Sequence, residues 1–367
     1  MAIGYGFEAQ AVLKKGATWG TAVTPTLADA LYLTGENIAS TAPLLEDEAL
    51  TGSAMQRRGD IGEERFEGTI DTHLTYEGLD LLFNLLMGTA NTPGAIASGV
   101  YYNEFVLLDD LDGLFGTLII EKGANRDSYA SVKVNSLDLS WQAGQRPRCS
   151  WGLICDDLTL SSTAFPTTGA VPTYAATLAL ASHLDVRMAA QTLTGSPLDT
   201  DDRIYPNSFT LRIENNLRGD ITTRRSTLTD EPHRDGRFRV TGSIGFPVYS
   251  QGGAEEGASA LDTRTAFLNK TLMMMSVWFT GAAIGAENLA VAFLIPQLQI
   301  TTEAARAAGQ GRIVNPFDFI CTASATAITP ANLDERFNAG AYAGNTRVAS
   351  SATPYIYRLN SVQTNPA

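Results

Sequence analysis

Arg65-Phe66-Glu67-Gly68-Thr69-Ile70 and Arg239-Val240-Thr241-Gly242-Ser243-Ile244 follow one order of residue types: arginine, apolar, polar, glycine, hydroxyl, isoleucine. Their period of two predicts strands with one face on a core and the other in water. A strand ending in Glu-Asn precedes each copy, at residues 31–37 and 209–215. After each come a longer segment and a hairpin whose turn contains Ala-Gly-Gln, at residues 143–145 and 308–310. A β unit duplicated within one polypeptide points to assembly geometry more than to chemistry.

The same period recurs along the chain. Phe209, Leu211 and Ile213 alternate with Thr210, Arg212 and Glu214. Val132, Val134 and Ser136 alternate less cleanly with Lys133, Asn135 and Leu137, as in a strand buried on both faces. One helix is predicted over 76–87, where Leu79, Leu82, Phe83 and Leu86 form an apolar stripe. Thr75 is its expected start cap and Gly88 its end. A second helix, over 258–272 with Leu261, Thr265 and Leu268 on one face, takes the matching slot of the second half. The predicted class is mostly β (α+β), with a helix covering an otherwise open sheet in each half. Residues 161–203, rich in Thr, Ala, Pro and Gly, look like linker and edge elements, with a possible strand at 175–181.

The 367 residues suit two domains, and an apolar fraction of 44% can fill two cores. A net charge of −13 argues against non-specific nucleic-acid binding, which needs clustered cations facing phosphates. Three cysteines do not make a disulfide framework. Cys149 and Cys155 fall on one face of a strand, about 20 Å apart, too far to bridge. Folding in a reducing cytoplasm is expected. The N-terminus lacks signal-peptide features, and the uncharged stretch 271–286 falls short of the roughly 20 residues that span a bilayer.

Residues with the spacing that chemistry requires do not stand out. His73, His183 and His233 are scattered and read as surface histidines. Asp109-Asp110-Leu111-Asp112-Gly113 begins like a calcium loop but would put Leu108 and Ile119 at ligand positions, so it reads as an acidic turn between strands. Gly4-Tyr5-Gly6 lacks the third glycine of a dinucleotide loop, and Asn269-Lys270-Thr271 is a chance glycosylation triplet. Carboxylates are plentiful, which leaves a catalytic pair open. No enzyme activity, cofactor or metal is expected. Trp19, Trp141, Trp151 and Trp278 sit among apolar neighbours and look like core.

Lys15-Gly16-Ala17-Thr18-Trp19-Gly20-Thr21-Ala22-Val23-Thr24-Pro25-Thr26 resembles the opening of the tail tube (major tail) proteins of long-tailed, non-contractile bacteriophages. There, a short arm ending in a Thr-aromatic-Gly-Thr-Ala element precedes the first strand. The similarity continues through residues 32–39, 63–71, 133–137, 208–217 and 237–244. Residues 156–204 and those after 329 depart from the pattern. The resemblance implies an N-terminal arm (1–30), a first tube domain (31–160), linker and edge elements (161–203), and a second tube domain with a C-terminal extension (204–367).

It also implies a non-enzymatic virion protein, made in the host bacterial cytoplasm. Two tandem β-sandwich domains, each with a flanking helix, close their inner sheets into a β-barrel tube on oligomerisation. A two-domain chain would form trimeric, pseudo-hexameric rings, stacked into a tube that conducts DNA. The expected partners are the chain itself, a tape measure protein and DNA in the lumen, and terminator and distal tail proteins at the tube ends. Candidate lumen-facing residues are Arg65, Glu67, Asp71, Arg212, Glu214 and Arg239. The long loops 41–60 and 217–234 lie at equivalent places in the two halves, and their Glu46, Asp47, Glu48, Arg224 and Arg225 are candidate inter-ring contacts. Two alternatives stay open: a tube or terminator protein of a contractile-tail or secretion-type apparatus, and a two-domain β-sandwich binding module.

Overall fold

The computed structural model describes residues 9–46, 55, 59–90, 94–97, 99–123, 125–160, 165–167, 178–191, 197–219, 229–247, 263–284, 287–303, 314–338 and 351–360. The first half comprises β1 (Gln10–Lys15), β2 (Ala30–Leu31), β3 (Leu33–Glu36), β4 (Ala39–Thr41), β5 (Leu44–Leu45), β6 (Asp60–Ile61) and β7 (Arg65–His73). Helix α1 (Asp80–Met87) follows, then β8 (Gly88–Ala90), β9 (Gly94–Ala97), β10 (Val100–Leu107), β11 (Gly116–Lys122), β12 (Asn125–Gln142), β13 (Arg148–Cys155) and β14 (Leu158–Leu160). The second half comprises β15 (Leu184–Ala190), β16 (Arg203–Ile204), β17 (Ser208–Glu214), β18 (Leu217–Arg218), β19 (His233–Arg234) and β20 (Arg239–Pro247). It continues through α2 (Thr263–Asn269), β21 (Met273–Ile284), β22 (Glu287–Glu303), β23 (Val314–Cys321), α3 (Pro330–Leu333) and β24 (Tyr355–Asn360).

The protein is mostly β, built as two tandem antiparallel sandwiches. Each turns on one long strand that serves both of its sheets. β12 (18 residues) pairs with β11 through its first part and with β13 through its second. β22 (17 residues) pairs with β21 and β24, then with β23. Each long strand carries an irregularity at the same point against its inner-sheet partner, between Val134 and Ser136 and between Ile300 and Thr302, besides the shifts it makes against β11 or β21. An extra residue there bends the strand and reverses which side chains face the core.

Correspondence between the halves extends well beyond the motif. β15 lies on β21 as β1 lies on β11, and β16 on β15 as β2 on β1. A 3-10 turn precedes β2 and β16, closed by Asp29 accepting from Thr26 N at 2.7 Å and by Asp202 accepting from Asp199 N at 3.1 Å. The shared glycine has one physical cause in both places, the close approach of a neighbouring chain. A Cβ on Gly68 would overlap the backbone of Asn37 and Ile38, and one on Gly242 would meet Thr210 O at 2.5 Å and overlap the Phe319 ring. Gly242→Ala is therefore expected to cost about 1–3 kcal/mol, read as a lower urea midpoint with an unchanged m-value.

The halves are joined twice. β12 pairs with β17 from Ser136–Glu214 to Gln142–Ser208, which makes the inner sheets continuous. β24 lies between β10 of the first half and β22 of the second. One apolar core spans both, with Trp151 against Phe83 and Phe83 against Phe293. All four tryptophans are buried, as expected. Cys149 and Cys155 face this core unpaired, and burial pushes their thiols up. Among the described residues the monomer's sheet does not close into a barrel.

Several expectations need correction. The Glu-Asn endings are not equivalent: Glu36 pairs with Ile70, whereas Glu214 pairs with Arg239. The first half breaks this strand into β3 and β4 beside Gly68, which shifts the register. α1 starts at Asp80, not at 76, because Gly78 adopts φ +82° and Thr75 Oγ1 donates to Glu77 O (2.7 Å) instead of capping the helix. Gly88 does end it, at φ 98°. α2 ends at Asn269, before the expected 272, and buries Thr263 and Ala266, leaving Leu268 67% exposed; residues 258–262, Leu261 among them, lie outside the described residues. Of the possible strand at 175–181, Leu178 makes an isolated bridge to Thr75 and residues 181–183 form a 3-10 turn, while 175–177 lie outside the described residues. His183 is no lone surface residue, since its Nδ1 lies 2.8 Å from Tyr76 Oη and accepts from Leu180 N.

Candidate functional site

Pairing places the inner strands in the order β3/β4, β7, β13, β12, β17, β20, β23 and β22. One face of this sheet is core. Phe66, Ile70, Trp151, Leu137, Leu139, Phe209, Leu211, Ile213, Val240 and Ile244 are all buried on it. The alternate residues form the opposite, polar face, as period-two geometry requires.

The register aligns candidate residues from both halves. One cross-strand row runs Thr69, Gly152, Ser136, Glu214 and Arg239; the next runs Asp71, Ser150, Asp138, Arg212 and Thr241. Arg65, Glu67, Arg212 and Arg239 are exposed, and Asp71 and Glu214 half-buried. β7 and β17 stand three strand spacings apart, about 14 Å, so the candidate residues of each half share one face without touching. Ser150 Oγ donates to Asp71 Oδ1 at 2.5 Å. Arg212 Nη2 lies 2.5 Å from Glu214 Oε1 and its Nη1 3.5 Å from Asp138 Oδ2. Arg65 pairs with Glu63 at 3.2 Å. These exposed pairs add little stability and chiefly balance charge.

Asp138, Thr210, Arg212, Arg239, Ser243 and Asp318 line a concave trough of about 530 Å³ on this face. Burial holds the Asp138 carboxyl above the usual carboxylate range, which Arg212 opposes and Glu214 reinforces. The hydrogen bond to Glu214 raises Arg212. Burial, with Arg146 and Arg148 nearby, pushes His73 below its ordinary range and favours the neutral ring. Asp138, Ser150, Arg148 and Asp318 were absent from the sequence expectation. The signal for Asp138 was the alternation Leu137, Leu139, Trp141, which the irregularity at Asn135 sets out of step with Val132 and Val134.

The loop candidates divide. Glu46 is exposed beside the β5–β6 ribbon, while Asp47, Glu48, Arg224 and Arg225 lie outside the described residues. The base of the second loop packs on the first half. Trp19 Nε1 donates to Thr229 O at 3.1 Å. Buried Lys133 donates to Pro232 O at 2.9 Å and pairs with Glu231 at 2.8 Å. Arg234 Nη1 donates to Asp109 O at 2.8 Å, and His233 Nδ1 lies 2.7 Å from Asp112 Oδ1. The acidic stretch 109–113 is thus a turn between β10 and β11 that receives this loop.

Among the described residues no group of His, Cys, Asp and Glu is arranged to hold a metal ion, and no helix is long and apolar enough to cross a membrane. A duplicated sandwich with one polar sheet face is a structural module, defined by its surfaces. The family model described as "Phage tail tube protein" matches residues 6–321. The chain belongs to the phage tail tube protein family, a family of structural proteins of the virion tail. A search of curated proteins returns no match.

Proposed function

We propose that this chain assembles as trimeric, pseudo-hexameric rings that stack into a tail tube and conduct DNA. The observation that carries this reading is the seam between β12 and β17, where the last strand of one sandwich continues directly into the first strand of the next. Among the described residues the same two kinds of edge recur at the ends of the inner sheet, on β22 over 299–303 and on β4. A heterologous contact repeated with rotation closes a ring, and closure removes edges that would otherwise aggregate. Three chains supply six sandwiches.

The polar face then lines the lumen. Arg65, Glu67, Asp71, Arg212, Glu214 and Arg239 contribute, with Asp138 and Asp318 beside them. These are three cations against five carboxylates, so passing phosphates find no continuous cationic track that would hold them by counterion release. A tape measure protein and then DNA occupy this channel. Terminator and distal tail proteins meet the tube ends, and synthesis takes place in the host bacterial cytoplasm.

Negative-stain microscopy of the purified full-length protein tests the reading. Long hollow tubes or rings are expected, and a dispersed monomer at high concentration overturns it. Glu46, Asp47 and Glu48 of one ring pair with Arg224 and Arg225 of the next. Arg224→Glu with Arg225→Glu is expected to leave a folded subunit that stops at single rings; tubes of ordinary length would refute the charge pairing.

A further inference from the structure

The two ribbons that open the long loops are structural equivalents with opposite fates. β18 pairs with β19 through Leu217–Arg234 and Arg218–His233, and β5 with β6 through Leu44–Ile61 and Leu45–Asp60. Each ribbon begins three residues after a strand position set by the duplicated motif: Glu214 lies opposite Arg239, and Thr41 opposite Arg65. Leu217 and Leu44 therefore correspond. Leu217 is 7% exposed and packs with Leu111 and Ile154 of the first half. Leu44 and Leu45 are 60% and 58% exposed.

The cis seat of Leu217 has a counterpart in the second half, found by the same registers. Leu153 lies opposite Gly68 and Phe319 opposite Gly242, so Ile154 corresponds to Ile320. Val134 pairs with Leu153 and Ile300 with Phe319, so the irregular residues Asn135 and Thr301 correspond. Gly116 pairs with Val132 and Met273 with Leu298, so Phe115 corresponds to Leu272. In the first half these seats are filled. Ile154 is 5% exposed and packs with Leu217, Phe115 is 1% exposed and meets Trp19 edge-on at 5.4 Å, Asn135 Oδ1 accepts from Leu217 N at 2.8 Å, and Asn135 O accepts from Asn215 N at 2.8 Å. In the second half they are open, with Ile320 half-exposed, Leu272 41% exposed and Thr301 exposed.

We propose that the β5–β6 ribbon of each copy docks on the second half of the next copy, seating Leu44 on Ile320. The Leu44 N–H donates to Thr301 Oγ1, as Leu217 N–H does to Asn135 Oδ1. The added strand pair takes the register of the internal seam, with Thr41 opposite Thr302 and Ser40 opposite Glu303. The partner is a second copy of this chain, because the ribbon and the open seat lie at opposite margins of one sheet, seven strand spacings or about 30 Å apart. One chain cannot satisfy both. The inference rests on the ring reading and adds its contact residues and register.

The test pairs Thr41→Cys with Thr302→Cys in the full-length protein, oxidised mildly after assembly. Both positions are exposed, and a circular-dichroism melt checks that folding is retained. A covalently closed trimer on a non-reducing denaturing gel is expected, at least 10-fold more abundant than from Ser40→Cys with Thr302→Cys. In that control a one-residue slip turns the side chains to opposite faces. A second arm, Leu44→Asp in the otherwise unchanged chain, is expected to lose at least nine-tenths of assembled material. Tubes or rings seen by microscopy without the cross-link, or with equal cross-linking in the control, overturn the docking register and leave the ring standing. Absence of any ring or tube from the unsubstituted protein overturns both.

Discussion

Arg358→Met is expected to lower the unfolding free energy by about 3–5 kcal/mol, the range for stripping one partner from a buried ion pair. Arg358 is fully buried on β24, with Nη1 2.7 Å from Asp80 Oδ1 at the start of α1. Its Nη2 donates to Thr75 O at 3.4 Å and to Tyr76 O, and the guanidinium lies 5.4 Å from the Phe83 ring centroid. The substitution keeps most of the side-chain volume but leaves the Asp80 carboxylate without its cation in a dry site. Asp80→Leu combined with Arg358→Met is expected to recover more than half of the loss, because the pair's attraction largely offsets its desolvation. Urea unfolding of the two variants measures both values. A loss under about 1 kcal/mol for the single variant would mean that water reaches the guanidinium and the pair behaves as a surface one. The effect bears on assembly, since β24 joins β10 to β22 and so holds one half against the other.

Asp334→Ala is expected to be of similar size, about 3–5 kcal/mol. Its buried carboxylate accepts from Ser276 Oγ at 2.6 Å, Trp278 Nε1 at 3.1 Å and Arg336 N at 3.0 Å, and Arg187 Nη1 lies 3.5 Å away. Alanine withdraws the acceptor from all of these at once and opens a void. Ser276→Ala removes one donor and leaves the charge paired, so about 1 kcal/mol is expected. Thermal unfolding of the two variants side by side checks the ratio. Equal losses would show that the carboxylate does not organise the cluster. Because Asp334 fastens the segment after α3 to β21, its loss is expected to affect the second half before the first.

The sequence by itself determined the properties that depend on near neighbours in the chain. Phe209, Leu211 and Ile213 declared the buried face of β17, because a strand's period is local, whereas α1 buries Asp80, Asn84, Leu85 and Met87 as well as Leu82, Phe83 and Leu86 and so has no single buried face. Duplication was legible in the Arg-to-Ile motif, whose glycine answers the same close approach of another chain in both halves. Tertiary structure alone decided what depends on long-range pairing. It shifted Glu36 against Glu214, turned Asp138 to the polar face through the irregular residue at 135, and buried Lys133 beneath a loop from the other half. It also set β24 between two sandwiches that lie far from it in sequence. A local pattern gives each strand two faces, but which neighbour it meets, and in what register, is chosen only when the whole sheet forms.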